Sequence, residues 1–109
     1  MDSILNDTKK LLGIDKDYHA FDTDILTGIN LAFVALHELS VGPDEPFRVI
    51  AGDETWTDFS TNPLILNGVM PYVWLKTRLV FDPPTTSFIL EAIKQEIQEL
   101  EFRLNAFSE

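Results

Sequence analysis

Carboxylates are the residues in this chain best suited to chemistry: eighteen of its 109 residues are Asp or Glu. Asp15, Asp17, Asp22 and Asp24 fall close together in one stretch. Carboxylates at alternate positions suit a calcium ion, but the stretch lacks the glycine that turns a calcium loop and the closing bidentate Glu. Asp22 reads instead as a helix N-cap, and Asp24 as a first-turn charge favourable to the helix dipole. His37 and Glu38 are adjacent, yet no second His follows four residues on, so the zinc-protease pattern fails. The chain has no cysteine, which removes disulfides, thiolate zinc sites and thiol nucleophiles together. It also has no Gly-rich phosphate loop and no GxSxG elbow. Asn6-Asp7-Thr8 matches a glycosylation sequon by accident, because the start of the chain does not read as a signal peptide. We therefore expect a protein that is not an enzyme and that holds neither metal nor cofactor.

The net charge of −10 narrows the partners. Gripping nucleic acid requires clustered Lys and Arg to neutralise phosphates, whereas the eight basic residues are scattered. An acidic surface suits solubility, a basic partner, or a wall that DNA passes without sticking. The 45% apolar and 24% charged residues are ordinary for a globular chain. We expect one domain, residues 1–109, burying roughly two thirds of its unfolded surface.

The elements that position these residues are mostly helices. The first runs from about Ser3, its N-cap, to Leu12, with Gly13 in the left-handed position that ends it. The second runs from about Thr23 to Ser40 and turns Ile25, Ile29, Ala32, Phe33, Leu36 and Leu39 to the core. Its other face carries Leu31 and Val34 beside Thr27 and Glu38, more apolar than a solvated surface requires. Val41-Gly42-Pro43 stops it. Phe47, Val49 and Ala51 then alternate with Arg48 and Ile50 in strand fashion, and Thr55-Trp56-Thr57 reads as the returning strand of a small hairpin. Trp56 and Phe59 are its anchors onto the helices. Ser60 to Pro63 cap a short turn, Leu64 to Asn67, and Gly68 lets the chain change direction.

Val69 to Phe81 is the centre of the expected fold. Val69, Val73 and Val80 project to one side, Met70, Trp74 and Phe81 to a second, and Tyr72, Leu75 and Leu79 to a third. A helix apolar nearly all round is covered on several sides, yet this one is too short to cross a membrane. Pro71 fits if it lies in the first turn. After Asp82-Pro83-Pro84, a last helix from about Thr86 to Phe107 carries the stripe Ile89, Ile93, Ile97, Leu100, Leu104 and Phe107. Glu91 with Lys94 and Glu99 with Arg103 support it weakly. Phe102 projects away from that stripe, on the side shared by Phe88, Gln95 and Glu99. The expected fold is mainly α: a compact bundle of about four helices with a small β-hairpin or strand insertion between the second and third.

Several segments in this order resemble one family. They are LLGI near the start, Phe21-Asp22-Thr23-Asp24-Ile25 with Ile29-Asn30 and Phe33, Val41-Gly42-Pro43, and Thr55-Trp56. Tyr72 to Lys76 with Leu79, Phe81-Asp82-Pro83-Pro84, Glu91 to Lys94, and Leu100-Glu101 with Arg103-Leu104-Asn105 complete the set. Together they are similar to the head-tail connector, or adaptor and head-completion, proteins of tailed bacteriophages. Pro71 departs from the pattern, where a polar helix former is expected.

The resemblance implies a structural virion protein, made in the host cytoplasm and built into the neck. It would form a homo-oligomeric ring, usually of twelve copies, beneath the portal protein. Such a ring extends the channel, lets DNA pass without specific binding, and docks a neck stopper or tail-completion protein. Leu31, Val34, Phe88 and Phe102 would supply subunit contacts, and Gln95, Glu99, Phe102, Arg103 and Phe107 a docking surface toward the portal. Two readings from other classes stay open: an acidic inhibitor that mimics DNA, and another non-catalytic helical interaction module.

Overall fold

The computed structural model describes residues 3–107. Five helices follow one another: α1 (Ile4–Leu11), α2 (Asp22–Glu38), α3 (Trp56–Phe59), α4 (Pro63–Phe81) and α5 (Ser87–Asn105). α4 is the centre, with α2 and α5 as its main neighbours and α1 touching both α2 and α4. Val69, Tyr72 and Val73 of α4 are fully buried, as are Ile25, Ile29, Ala32 and Leu36 of α2.

α4 corrects the sequence reading. Leu64 to Asn67 is not a separate turn but the start of a 19-residue helix. The Asn62 side chain accepts the Leu64 N–H at 2.9 Å, and Pro63 fills the first helical position, where its missing N–H costs nothing. Pro71 accordingly lies inside the helix rather than in its first turn. It withholds one donor from Asn67, which is exposed. Gly68 does not redirect the chain. A Cβ there would stand 2.9 Å from Leu104 Cδ2, so the glycine lets α5 approach closely. Gly28 does the same for α2: its Cβ would stand 3.0 Å from Thr77 Cα on α4. Val80, expected within the buried surface, is about half exposed.

The hairpin expected between the second and third helices is absent, and no strand occurs among the described residues. The reason is that side chains take the backbone groups a partner strand would have used. Asn30 of α2 accepts the Val49 N–H at 2.8 Å and donates to the Val49 carbonyl at 3.0 Å. The Glu54 carboxylate then accepts the N–H groups of Ile50, Ala51 and Gly52 at 2.7, 3.1 and 2.9 Å, folding the chain back on itself. Partial burial pushes the Glu54 pKa up, but these backbone donors outweigh it and hold the carboxyl below its ordinary value. Thr55-Trp56-Thr57 opens α3 instead of a strand, with the Asp58 carboxylate accepting the Thr55 N–H at 2.8 Å. Trp56 is the anchor expected: it is buried, and its indole N–H donates to Asp7 Oδ2 at 2.8 Å.

Helix ends obey local rules. Ser3 Oγ accepts the Asn6 N–H at 3.1 Å. At the other end of α1 the Ile14 N–H reaches the Lys9 carbonyl at 2.8 Å, and Gly13 takes φ +80° between them. α2 ends in the same hydrogen-bond pattern, Val41 N–H to Leu36 carbonyl at 2.9 Å, with Ser40 at φ +61°. Both are Schellman closures. Gly42 follows at φ +99°, packed so tightly on Phe59 that a Cβ would overlap the ring at 2.4 Å. That ring completes an aromatic triangle with Phe33 and Phe47, at centroid separations of 5.1 and 5.4 Å.

Asp22 is not the cap of α2 but its first residue, and its side chain turns to a buried lysine. Lys9 has no exposed surface, and its ammonium donates to Asp22 Oδ1 at 2.7 Å, the Tyr18 carbonyl at 2.6 Å and the Lys16 carbonyl at 3.2 Å. All three donors are satisfied, which is what allows a lysine to lie inside. The loop between α1 and α2 is thereby fixed to both helices. Burial pushes the Asp22 pKa up, but the hydrogen bonds from Lys9 and His19 and their charges outweigh it, so the pKa is lowered from 3.8.

Gly42→Ala should destabilise the fold by about 2–4 kcal/mol, from the positive φ and the clash with Phe59 together. Urea titration monitored by circular dichroism measures it, and an unchanged midpoint would contradict this packing. Because the folded Asp22 pKa is depressed, its stabilisation is full above the ordinary value of 3.8 and is lost as pH falls below it. Lys9→Met should cost about 3 kcal/mol near neutral pH and flatten the acid limb of the stability curve. Urea midpoints of both proteins between about pH 2 and pH 7 check this.

Candidate interaction surfaces

The titratable groups that the fold draws together serve the fold. Tyr72, buried on α4, donates its hydroxyl to Glu101 Oε2 on α5 at 2.7 Å. Burial and the neighbouring carboxylate push its pKa far up, so it remains a donor throughout the physiological range. Asp22 is engaged by Lys9 and His19. Among the described residues no three His, Cys, Asp or Glu side chains form a group that could hold a metal ion. Outward the molecule presents apolar side chains on several elements, Leu11, Tyr18, Phe21 and Leu64 among them, and two groups, on α2 and on α5, include residues singled out from the sequence.

The first surface lies on α2. Leu31 and Val34 are half exposed, as their position opposite the core stripe implies. They form a ridge between two grooves. One groove is closed by Arg48 and Ile50, the other by Lys76, Leu79 and Val80. Ile50, 74% exposed, and Val80 enlarge the apolar area beyond the two residues read from the sequence. The strand-like alternation around Val49 already turned Ile50 outward. Val80 carried no such signal, because an all-apolar helix does not reveal which side lacks a neighbour.

The second surface is the outer face of α5. The stripe expected to pack does so at its centre, where Ile93, Ile97, Leu100 and Leu104 are buried. Its ends do not: Ile89 and Phe107 are each 44% exposed. Opposite the stripe, Phe88, Gln95, Glu99 and Phe102 share one exposed face, with Phe88 at 84% and Phe102 at 82% exposure. Arg103 flanks it, 3.7 Å from Glu99, and Lys94 stands 3.9 Å from Glu91. Exposed pairs at such distances contribute little.

The eight residues singled out from the sequence therefore divide into separate groups. Leu31 and Val34 stand on α2; Phe88, Gln95, Glu99, Phe102 and Arg103 stand on the outer side of α5. Phe107 belongs with neither. It lies just past α5 and lines a recess with His37, Pro43, Phe59 and Ile65. α2 and α5 touch each other sparsely, α4 being the principal neighbour of both. A hydrogen bond from Asn105 Nδ2 to the Leu39 carbonyl, 3.2 Å, joins their ends.

No helix among the described residues is long and apolar enough to cross a membrane. Comparison with curated proteins and with solved structures gives no match to either. The family described as phage connector protein matches residues 4–109. That span takes in all five helices and both exposed apolar surfaces. The chain belongs to the phage connector protein family.

Proposed function

We propose that the chain is a single-domain adaptor subunit, residues 1–109, that assembles as a ring of twelve beneath the portal of a tailed phage. There it extends the DNA channel and offers the next neck or tail component a place to dock. The observation that carries this reading is the pair of exposed apolar surfaces, on α2 and on α5, in a chain of the connector family. A closed ring built from identical subunits needs a contact face on each side of every subunit. Phage connectors work among other head and tail proteins, and neither surface has a partner within the chain.

The net charge of −10 suits a channel wall, which should repel phosphates rather than bind them. The role is structural, with binding rather than catalysis as its chemistry. Phe107 and its recess beside His37 and Pro43 supply polar and aromatic contact for the portal or the following component. A DNA mimic would concentrate its carboxylates in one array. Here they are spread along the chain, and Asp7, Asp22, Glu54, Asp58 and Glu101 are engaged by internal donors.

Native mass spectrometry of the full chain, alone and mixed with portal rings, tests the proposal. The expected result is a complex carrying many copies of the chain per portal ring. A chain that stays monomeric and never binds portal rings would refute the adaptor role. Linear duplex DNA should show no retardation by the free chain at low salt, where phosphate binding is strongest.

A further inference from the structure

We infer that the two exposed surfaces are halves of one interface: the outer face of α5 in one copy seats on the Leu31–Val34 ridge of the next. This rests on the ring reading and specifies which faces meet.

Shape supports it first. The α2 surface is a ridge with a groove on either side, and the α5 surface presents isolated aromatic knobs. A phenylalanine exposed over four fifths of its surface has most of its area still to bury, and aromatic side chains are the usual anchors of protein interfaces. Phe102 entering a groove beside Leu31 and Val34 would remove both from water.

Charge decides between the possible pairings. The grooves on α2 are bordered by Arg48 and Lys76, two of only eight basic residues in a chain of net charge −10. Among the described residues neither has an acidic partner within 4.0 Å. Lys76 instead lies 6.0 Å from the centre of the Tyr72 ring. Away from α4, α5 exposes Glu91, Glu96 and Glu99 against a single lysine and a single arginine, Glu101 being turned inward to Tyr72. Pairing α5 with α5 would set its excess acids against themselves, and pairing α2 with α2 would set Arg48 and Lys76 against themselves. Pairing α5 with α2 places acids on unpaired cations around an apolar centre. Glu38, which also lines the second groove, is the one acid there, and Arg103 stands beside Phe102 on the facing helix.

Geometry agrees. A surface that pairs with itself closes a dimer, whereas two different surfaces joined head to tail generate a ring when the rotation between neighbours closes. α2 and α5 flank α4 and touch each other sparsely, so each presents its outer side away from the central helix.

The test uses two full-length variants, Leu31→Glu and Phe102→Glu, both at exposed positions so that circular dichroism should show the native fold. Native mass spectrometry over a concentration series should show wild-type self-association weakened at least about 30-fold in each variant alone. Mixed in equal amounts, the variants should form a one-to-one heterodimer at near wild-type strength, because each retains the face the other lacks. Loss of association in Phe102→Glu with none in Leu31→Glu would mean that α5 pairs with itself, and would overturn the inference. So would a wild-type chain that shows no self-association, or a mixture that stays monomeric. None of these results touches the adaptor role, which stands or falls separately on binding to portal rings.

Discussion

The whole structure depends on covering α4. Nineteen residues long and apolar on most sides, this helix cannot rest against a single neighbour without leaving part of its surface in water. α2 and α5 solve this from two directions, and each gets close through a glycine. Gly28 lets α2 approach the backbone at Thr77, and Gly68 lets Leu104 of α5 pack against α4. Thr77 at that crossing is fully buried, and its hydroxyl is absorbed by the Val73 carbonyl at 2.7 Å, so no polar group is stranded there. Close crossings of this kind set the positions of α2 and α5, and with them the directions in which their outer faces look.

The remainder of the chain is held by polar side chains acting on backbone. Lys9 gathers the loop between α1 and α2, Asn30 holds the segment at Val49, and Glu54 folds the residues that precede it. Each of these does the work of a strand partner or a turn with a single side chain. The segment carrying Arg48 and Ile50 is thus fixed relative to α2, although it belongs to no regular element. Two of the residues that border the α2 ridge are placed in this way.

Connector function, on this reading, is a matter of surfaces rather than of reactive groups. The acids that gather into hydrogen-bonded sites inside the molecule stabilise it, and those left on the outside shape its electrostatic field. The exposed apolar residues are spread over several elements, and two groups of them form the two candidate interaction faces. Leu31 and Val34 on α2 and Phe88 and Phe102 on α5 stand on helices that share α4 as a support, so a change in how α4 is packed would alter both faces at once.

Much of this was legible in the residues themselves. The period of apolar positions identified the core faces of α2 and α5, and the exposed positions of Leu31, Val34, Phe88 and Phe102 follow from the same period read on the opposite side. Ser3 and Gly13 marked the ends of α1 through local hydrogen-bonding and φ requirements, which need no tertiary information. The misreadings have local and tertiary origins. The alternation around Val49 has the form of a strand, but Asn30 supplied a partner from α2; the Thr55-Trp56-Thr57 run also has that form, but Asp58, three residues on from Thr55, caps it locally as a helix start. Pro71 and Gly68 look like helix breakers locally, yet burial on both sides of them carries α4 straight through. The burial of Lys9 likewise depends on the Tyr18 carbonyl and the Asp22 carboxylate being brought to it. Sequence determined which residues must be covered, because hydrophobicity and its period are properties of the segment itself. Only the tertiary structure decided what covers them and which side of α4 stays open at Val80, because that depends on where the other helices lie.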